Sequence, residues 1–299
     1  MPRALTLLRT LRTYAALVRF SHTIFGLPFA LSAAMLAHRE AQGLGQTGLT
    51  WTKFALVLFA FTGARTAAMG FNRIVDRKID GENPRTKDRE LPRGAISLQA
   101  AIGFTIAACI LFVASSFMLS PTAGVLSAPC LLIVLGYSLF KRFSWTAHLV
   151  LGIALALAPG GAWIAILGDF HRAELPLLLM LAVATWVAGF DVLYSLQDES
   201  FDREAGLHSI PSRFGIRGAL WLSGSLHVGT IAALLAFHVQ AALAWPHAIG
   251  VAIMAILLAY EHYLVKPNDL SRIDKAFFDL NGYASLAYLA CVAIALFAI

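Results

Sequence analysis

Nine apolar stretches, each close to 20 residues long, take up most of this chain. They fall near Phe20–His38, Trp51–Phe71, Ala95–Met118, Thr122–Phe140, Trp145–Leu167, Leu175–Gln197, Gly218–His238, Leu243–Val265 and Leu280–Ile299. About 20 apolar residues in helical form cover the hydrocarbon core of a bilayer, where each backbone polar group must find its partner within the chain. Only 13% of the 299 residues are charged, against 59% hydrophobic, roughly half the charge that a soluble domain carries. The runs predict one all-α integral membrane domain with nine transmembrane helices.

The placement of charge orients it. With the N-terminus inside, 19 of the 23 lysines and arginines fall in the inner segments. Arg39, Lys53 and Arg172 lie outside, and Arg65 lies within a span. The positive-inside rule then predicts an N-in, C-out topology. The net charge of +6 suits cytoplasmic loops and anionic headgroups. A nucleic-acid partner is excluded, since no soluble basic patch with interleaved aromatics stands apart from the spans. Residues 1–19 carry Arg3, Arg9, Arg12 and Arg19 and no acid, and read as a short basic interfacial segment. Cys109, Cys130 and Cys291 lie in apolar runs without metal-site or disulfide spacing.

The inner connections are the long ones, and two stand out, 72–94 and 198–217. Long loops in a compact fold are usually functional, and both are expected on the cytoplasmic face. At helical spacing Arg65, Asn72 and Asp76 share one face in steps of seven and four, with Asp80 a turn further on. Asp191, Asp198 and Asp202 repeat the seven-then-four pattern. Each region then carries a proline shortly before an arginine, in LPRG and IPSRFG. The pattern suggests two pseudo-repeated four-helix halves followed by a ninth helix.

A single acid at the end of a span is ordinarily a solvated loop residue. Two DxxxD pairs at equivalent ends, each preceded by an intramembrane charge, need another reason to converge. Like charges so placed repel unless cations sit among them. Hard oxygen donors in pairs suit Mg²⁺, which binds through a few carboxylates together with substrate phosphates. Asn72 adds a neutral oxygen to Asp76, Asp80, Asp198 and Asp202, and Mg²⁺ clamped on a diphosphate makes it a better leaving group.

The segment from Asn72 to Asp80 resembles the NxxxDxxxD motif of the UbiA superfamily of intramembrane prenyltransferases. Asp198–Asp202, with Tyr194 before it, resembles the second motif, and Tyr137 to Lys141 resembles a YxxxK element. Arg73 follows Asn72 where many members have aspartate, so the first cluster has one carboxylate fewer. The resemblance implies Mg²⁺-dependent transfer of a polyprenyl group from an allylic diphosphate to an aromatic acceptor, with the isoprenoid tail left in lipid. The stretches HTIFGLPFAL and DVLYSLQDESFDREAGLHSIPSRFG resemble members that prenylate 4-hydroxybenzoate for ubiquinone. Similar members prenylate a dihydroxynaphthoate for menaquinone, and the donor-handling motifs do not separate the two. A bacterial cytoplasmic membrane is the expected location, with no obligate protein partner.

Individual residues carry further expectations. Arg65, costly inside a span, is expected on the diphosphate or a motif aspartate. Lys141 resembles the family's diphosphate-binding lysine, although Lys141–Arg142 also serves as a topology signal. Arg213 is a third diphosphate candidate. Asp191, with Tyr194, positions the acceptor or takes its proton, or else Asp191 pairs with Arg65. His22 and His148 are candidates for an acceptor carboxylate, and Pro28, Pro159, Gly160 and Gly161 for kinks. The rival reading is a transporter that uses Arg65 and Asp191 as an intramembrane relay.

Overall fold

The computed structural model describes residues 12–19 and 23–297. His22 and most of the basic N-terminal segment lie outside the described residues. The helices are α1 (Thr23–Gly43), α2 (Trp51–Glu82), α3 (Leu98–Leu119), α4 (Pro121–Gly136), α5 (Ala147–Leu167), α6 (Glu174–Ser195), the short α7 (Glu199–Glu204), α8 (Ile210–Gln240), α9 (Trp245–Leu264) and α10 (Asn281–Phe297). Among the described residues there is no strand, only one isolated bridge between Lys266 and Asp269.

Capping chemistry sets where these helices begin. Thr50, Ser97 and Ser120 each accept a hydrogen bond from the backbone N–H three residues on, satisfying a donor that the first helical turn leaves free. Pro121 and Pro211 occupy the first turns of α4 and α8, where a missing N–H costs nothing. Ser209 and Ser212 form a reciprocal capping box at the start of α8. Helices run unbroken through Pro28 and Pro159. The break falls instead at Gly215, where φ is 68° and ψ 173° inside α8.

Long helices pack side by side, each against the next, and α10 returns to α1 to close a ring. The first helix also packs along α5, which with α6 forms the most buried part of the bundle. Small residues let backbones approach. A Cβ on Gly63 would lie 2.8 Å from the Phe112 amide nitrogen of α3, a close approach that suits van der Waals packing in lipid. Most of α3 and α4 is apolar and not buried within the protein. Trp221, Val228, Val239 and Ile256 stand out from other helices with more than 60% of their surface free. Water does not tolerate so extensive an apolar exterior, whereas a bilayer requires it.

Among the described residues, eight helical segments are long and apolar enough to cross a membrane. The first helix, α1, has 21 residues but carries His38, Arg39 and Glu40 near its end, and it is not among the eight. The connection expected over 72–94 begins as helix: α2 continues to Glu82, where Asn83 and Pro84 end it. The second connection holds a 3-10 turn (Leu196–Asp198) and α7 before α8 starts at Ile210. The two motif regions thus share a spacing without sharing a backbone, because Asp198 lies on the turn that interrupts the helix.

Buried polar side chains pin the C-terminal helices. Asn281 donates to Glu261 at 2.9 Å, and the Trp186 indole N–H donates to Asn281 at 2.7 Å. At the end away from the motifs, Arg172 holds both carboxylate oxygens of Glu40, at 3.2 and 3.1 Å.

Candidate active site

Two cavities meet inside the bundle. One of about 280 Å³ lies at the motif end and is lined by five aspartates (Asp76, Asp80, Asp191, Asp198, Asp202) and six cations (Arg19, Arg65, Arg73, Arg85, Arg89, Lys141). The other, of about 640 Å³, is almost wholly apolar and runs between α2, α3, α4, α5 and α6. Arg65, Met69, Tyr137, Leu151 and Leu155 belong to both walls. A near-balanced polar chamber therefore opens toward a greasy one with a buried arginine at the border.

Helix α2 supplies the first cluster. Asp76 is 1% exposed and is met by Lys141 Nζ at 3.0 Å, Arg142 Nη2 at 3.0 Å and the Asn72 amide at 2.9 Å. Lys141 and Arg142 reach it because α4 tightens into a 3-10 turn over Tyr137–Arg142. Asp80 is 4% exposed, with Arg89 Nη1 at 2.7 Å and Arg73 Nη1 at 3.9 Å. Breaking such a buried pair typically costs about 3–5 kcal/mol, because the remaining charge stays uncompensated.

The loop after α2 ties the two clusters together. Asn83 accepts from the Arg85 amide at 2.9 Å, and Thr86 donates to the Asp80 carbonyl at 3.0 Å. This folded turn directs Arg85 across to Asp198, where its guanidinium makes a two-pronged contact, and to the Tyr194 hydroxyl at 3.0 Å. Asn83 also donates to Asp198 at 3.1 Å. Burial works against the Arg85 cation, but the hydrogen bonds and charge of Asp198, with help from Tyr194, outweigh it and raise its pKa. Tyr194 in turn stacks on Phe277 at 4.2 Å between ring centroids. Near Asp202, the Lys141 carbonyl accepts from the His208 amide at 2.8 Å, which joins the second connection to the first cluster.

Most of the sequence candidates line this chamber: Arg65, Asn72, Asp76, Asp80, Lys141, Asp191, Tyr194, Asp198 and Asp202. Arg213 does not. Its guanidinium lies over the Trp145 and Phe214 rings, at 5.6 and 5.5 Å, on the exposed surface of α8. Arg65 and Asp191 form no ion pair. Arg65 donates to the Arg19 carbonyl at 3.4 Å, with its Nε buried and unpartnered, and Asp191 is paired to His148. The intramembrane relay of the transporter reading is therefore not assembled between those two residues. Arg85, Arg89 and Arg142 read in the sequence as topology charges, yet all three hold motif aspartates.

The donor set suits a hard dication. The acidic donors are all oxygen, and Asp80 Oδ2 is buried without a hydrogen-bond partner. Among the described residues no three of His, Cys, Asp and Glu stand close enough to cage a metal by themselves. Mg²⁺ fits that condition, since it ordinarily takes one or two carboxylates and completes its shell with water and substrate phosphates.

Known proteins resemble this chain along most of its length. The 4-hydroxybenzoate octaprenyltransferase of Vibrio parahaemolyticus is 27% identical over 92% of this chain and 94% of its own length. The enzyme of the same description from Methylobacillus flagellatus is 28% identical over 80% of this chain and 81% of its own. Among solved structures, the apo UbiA homolog from Aeropyrum pernix K1 superposes with a TM-score of 0.82 at 32% identity, covering 91% of this chain and 97% of that one. A UbiA homolog from Archaeoglobus fulgidus, solved with GPP and Mg²⁺, shares the fold at a TM-score of 0.70 and 19% identity, covering 94% of this chain and 99% of that one. The family model for UbiA prenyltransferases matches residues 25–295, so the chain belongs to the UbiA prenyltransferase family.

Proposed function

We propose that the protein transfers a polyprenyl group from an allylic diphosphate to an aromatic hydroxy acid, 4-hydroxybenzoate or a dihydroxynaphthoate, in quinone biosynthesis. The observation that carries this reading is the junction of a charged chamber with an apolar one across Arg65 and Tyr137. A diphosphate head and an isoprenoid tail need those two environments side by side. Asp76, Asp80, Asp198, Asp202 and Asn72 would hold Mg²⁺. When bound, the metal would neutralise the diphosphate and make it a better leaving group.

The chain's own residues do the rest. Lys141, Arg85 and Arg89, which pair with motif aspartates, would take diphosphate oxygens in charge-assisted contacts, and Arg65, whose buried Nε has no partner, would add another. The apolar chamber holds the prenyl chain and keeps water from the allylic carbon as its bond to oxygen weakens. Asp191 and Tyr194 face the acceptor.

The same reading counts α1 as a ninth span, since it is 21 residues long and packed against α5 and α10. It places the N-terminus and the charged chamber on the cytoplasmic side of a bacterial inner membrane, in agreement with the skewed distribution of Lys and Arg. The whole chain is read as one membrane domain.

The test is transfer by the purified protein in nanodiscs, supplied with labelled polyprenyl diphosphate, Mg²⁺ and each acceptor separately. Prenylation of one acceptor supports the reading and names the pathway. A folded protein that neither binds nor cleaves the donor overturns it.

A further inference from the structure

His148 opens α5 and Asp191 lies near the end of α6, and their side chains meet with Nδ1 2.7 Å from Oδ2. Both residues line the charged chamber. His148 is 7% exposed, and its other ring nitrogen, Nε2, is buried without a hydrogen-bond partner. An ionised carboxylate can only accept, so the contact places the imidazole hydrogen on Nδ1. In the neutral ring, Nε2 then keeps a lone pair that no protein group satisfies. Buried acceptors are seldom left unmet in native structures, and an exception calls for an occupant. The donor-handling residues leave this nitrogen unused. Leu151, Leu155 and Phe190 line the same chamber and give it apolar wall suited to an aromatic ring.

We propose that His148 Nε2 is the site for the acceptor's phenolic hydroxyl, with Asp191 as the positioning residue that fixes the tautomer and the tilt of the imidazole. The assignment rests on the transferase reading above. The phenol donates its hydrogen bond to Nε2, which draws the proton away from oxygen and enriches the ring carbon beside it. That carbon forms its bond to C1 of the prenyl chain while the C1–O bond breaks, its electron pair leaving on the diphosphate. The hydrogen on the attacked ring carbon then departs as a proton and aromaticity returns. The phenolic hydrogen stays with the product, one proton is released per turnover, and no oxidant or reductant is needed.

The experiment compares wild type, His148→Ala and His148→Gln in nanodiscs with geranyl diphosphate and Mg²⁺. The acceptors are 4-hydroxybenzoate and its 3-fluoro and 3,5-difluoro derivatives, whose phenols are progressively more acidic. The 3,5-difluoro compound reports hydroxyl binding, and the 3-fluoro compound, with one open ortho carbon, reports transfer. Affinity for an unreactive geranyl thiolodiphosphate is measured alongside, as a check on folding and the donor site. His148→Ala should lose about 100-fold in kcat/KM for 4-hydroxybenzoate, the scale of a lost proton-accepting group. The ratio of wild type to variant should shrink about 10-fold with the 3-fluoro acceptor, because a more acidic phenol depends less on an external base. The difluoro acceptor should compete more weakly against the variant than against wild type. His148→Gln, whose carbonyl also accepts, should recover most of the activity, and thiolodiphosphate affinity should stay unchanged in both variants. An equal loss on every acceptor, or no loss, overturns the assignment of His148 while the transferase reading stands. A wild-type protein that prenylates neither open acceptor nor a dihydroxynaphthoate overturns both.

Discussion

Arg85, on the loop that follows α2, grips Asp198 at the foot of α6, 113 residues further along the chain. The contact joins the two aspartate motifs directly, and its partners Asn83 and Tyr194 fix the fork from both sides. Without it the two carboxylate groups would face each other across the chamber with less to offset their repulsion.

Replacing Arg85 tests that joint. Arg85→Ala should reduce transfer by at least about 10-fold and lower stability by about 1–3 kcal/mol, the range for a lost hydrogen bond to a charged group. Arg85→Lys should restore part of the activity only, because an ammonium cannot reproduce the planar two-pronged contact. Turnover and thermal unfolding in detergent measure the two effects. Full activity in Arg85→Ala would contradict the assignment.

Asp76 is the most deeply buried of the motif acids paired to cations, and its replacement separates charge from shape. Asp76→Asn keeps the volume and one carbonyl acceptor beside Lys141 and Arg142. It should fold, retain the apolar cavity and lose transfer by about 100-fold or more, comparable with deletion of one stabilising group in an active site. A variant that turns over normally would show that Asp76 is merely a structural partner of Lys141 and Arg142.

Metal removal gives a third check. Chelation should stop transfer, and added Mg²⁺ should restore it, because four motif aspartates already carry most of the local negative charge and a diphosphate adds to it. Helical content by circular dichroism should stay unchanged, since Asp76, Asp80 and Asp198 have protein cations as partners without metal. Transfer that continues in chelator would remove the metal from the account.

The apolar cavity should measure the donor. Ala158 lines it, and Ala158→Trp would occupy part of its 640 Å³. Long polyprenyl diphosphates should lose at least about 10-fold in kcat/KM while geranyl diphosphate is spared. A contribution near 1.4 kcal/mol, the free energy of a tenfold change, is within what displaced prenyl carbons supply at about 0.8 kcal/mol per buried CH₂. Equal losses for short and long donors would place the chain elsewhere.

Much of this architecture was legible in the sequence, and its limits have physical causes. Apolar run length located the helices because a bilayer leaves the backbone few alternatives. It failed at the motif end of α2, where polar residues continue as helix for another three turns, and a hydropathy reading takes polar for loop. The repeated seven-then-four spacing located both acid clusters. Spacing alone could not show that Leu196–Asp198 leaves the α-helix in the second half. Arg85, Arg89 and Arg142 stayed hidden because a topology signal and a carboxylate partner call for the same residue types in the same places. Arg213, a diphosphate candidate in the sequence, lies instead over Trp145 and Phe214. The His148–Asp191 contact spans 43 residues and two helices, and no local pattern announces it.

The central claim is that both aspartate motifs act as one Mg²⁺-dependent diphosphate site. The most direct measurement is the affinity of an unreactive geranyl thiolodiphosphate for wild type, Asp76→Asn and Asp198→Asn, with and without Mg²⁺. The account predicts binding that needs Mg²⁺ and weakens about 100-fold in each variant, as expected when one of two cooperating ligand groups is lost. Equal affinity in all three proteins, indifferent to Mg²⁺, would contradict it.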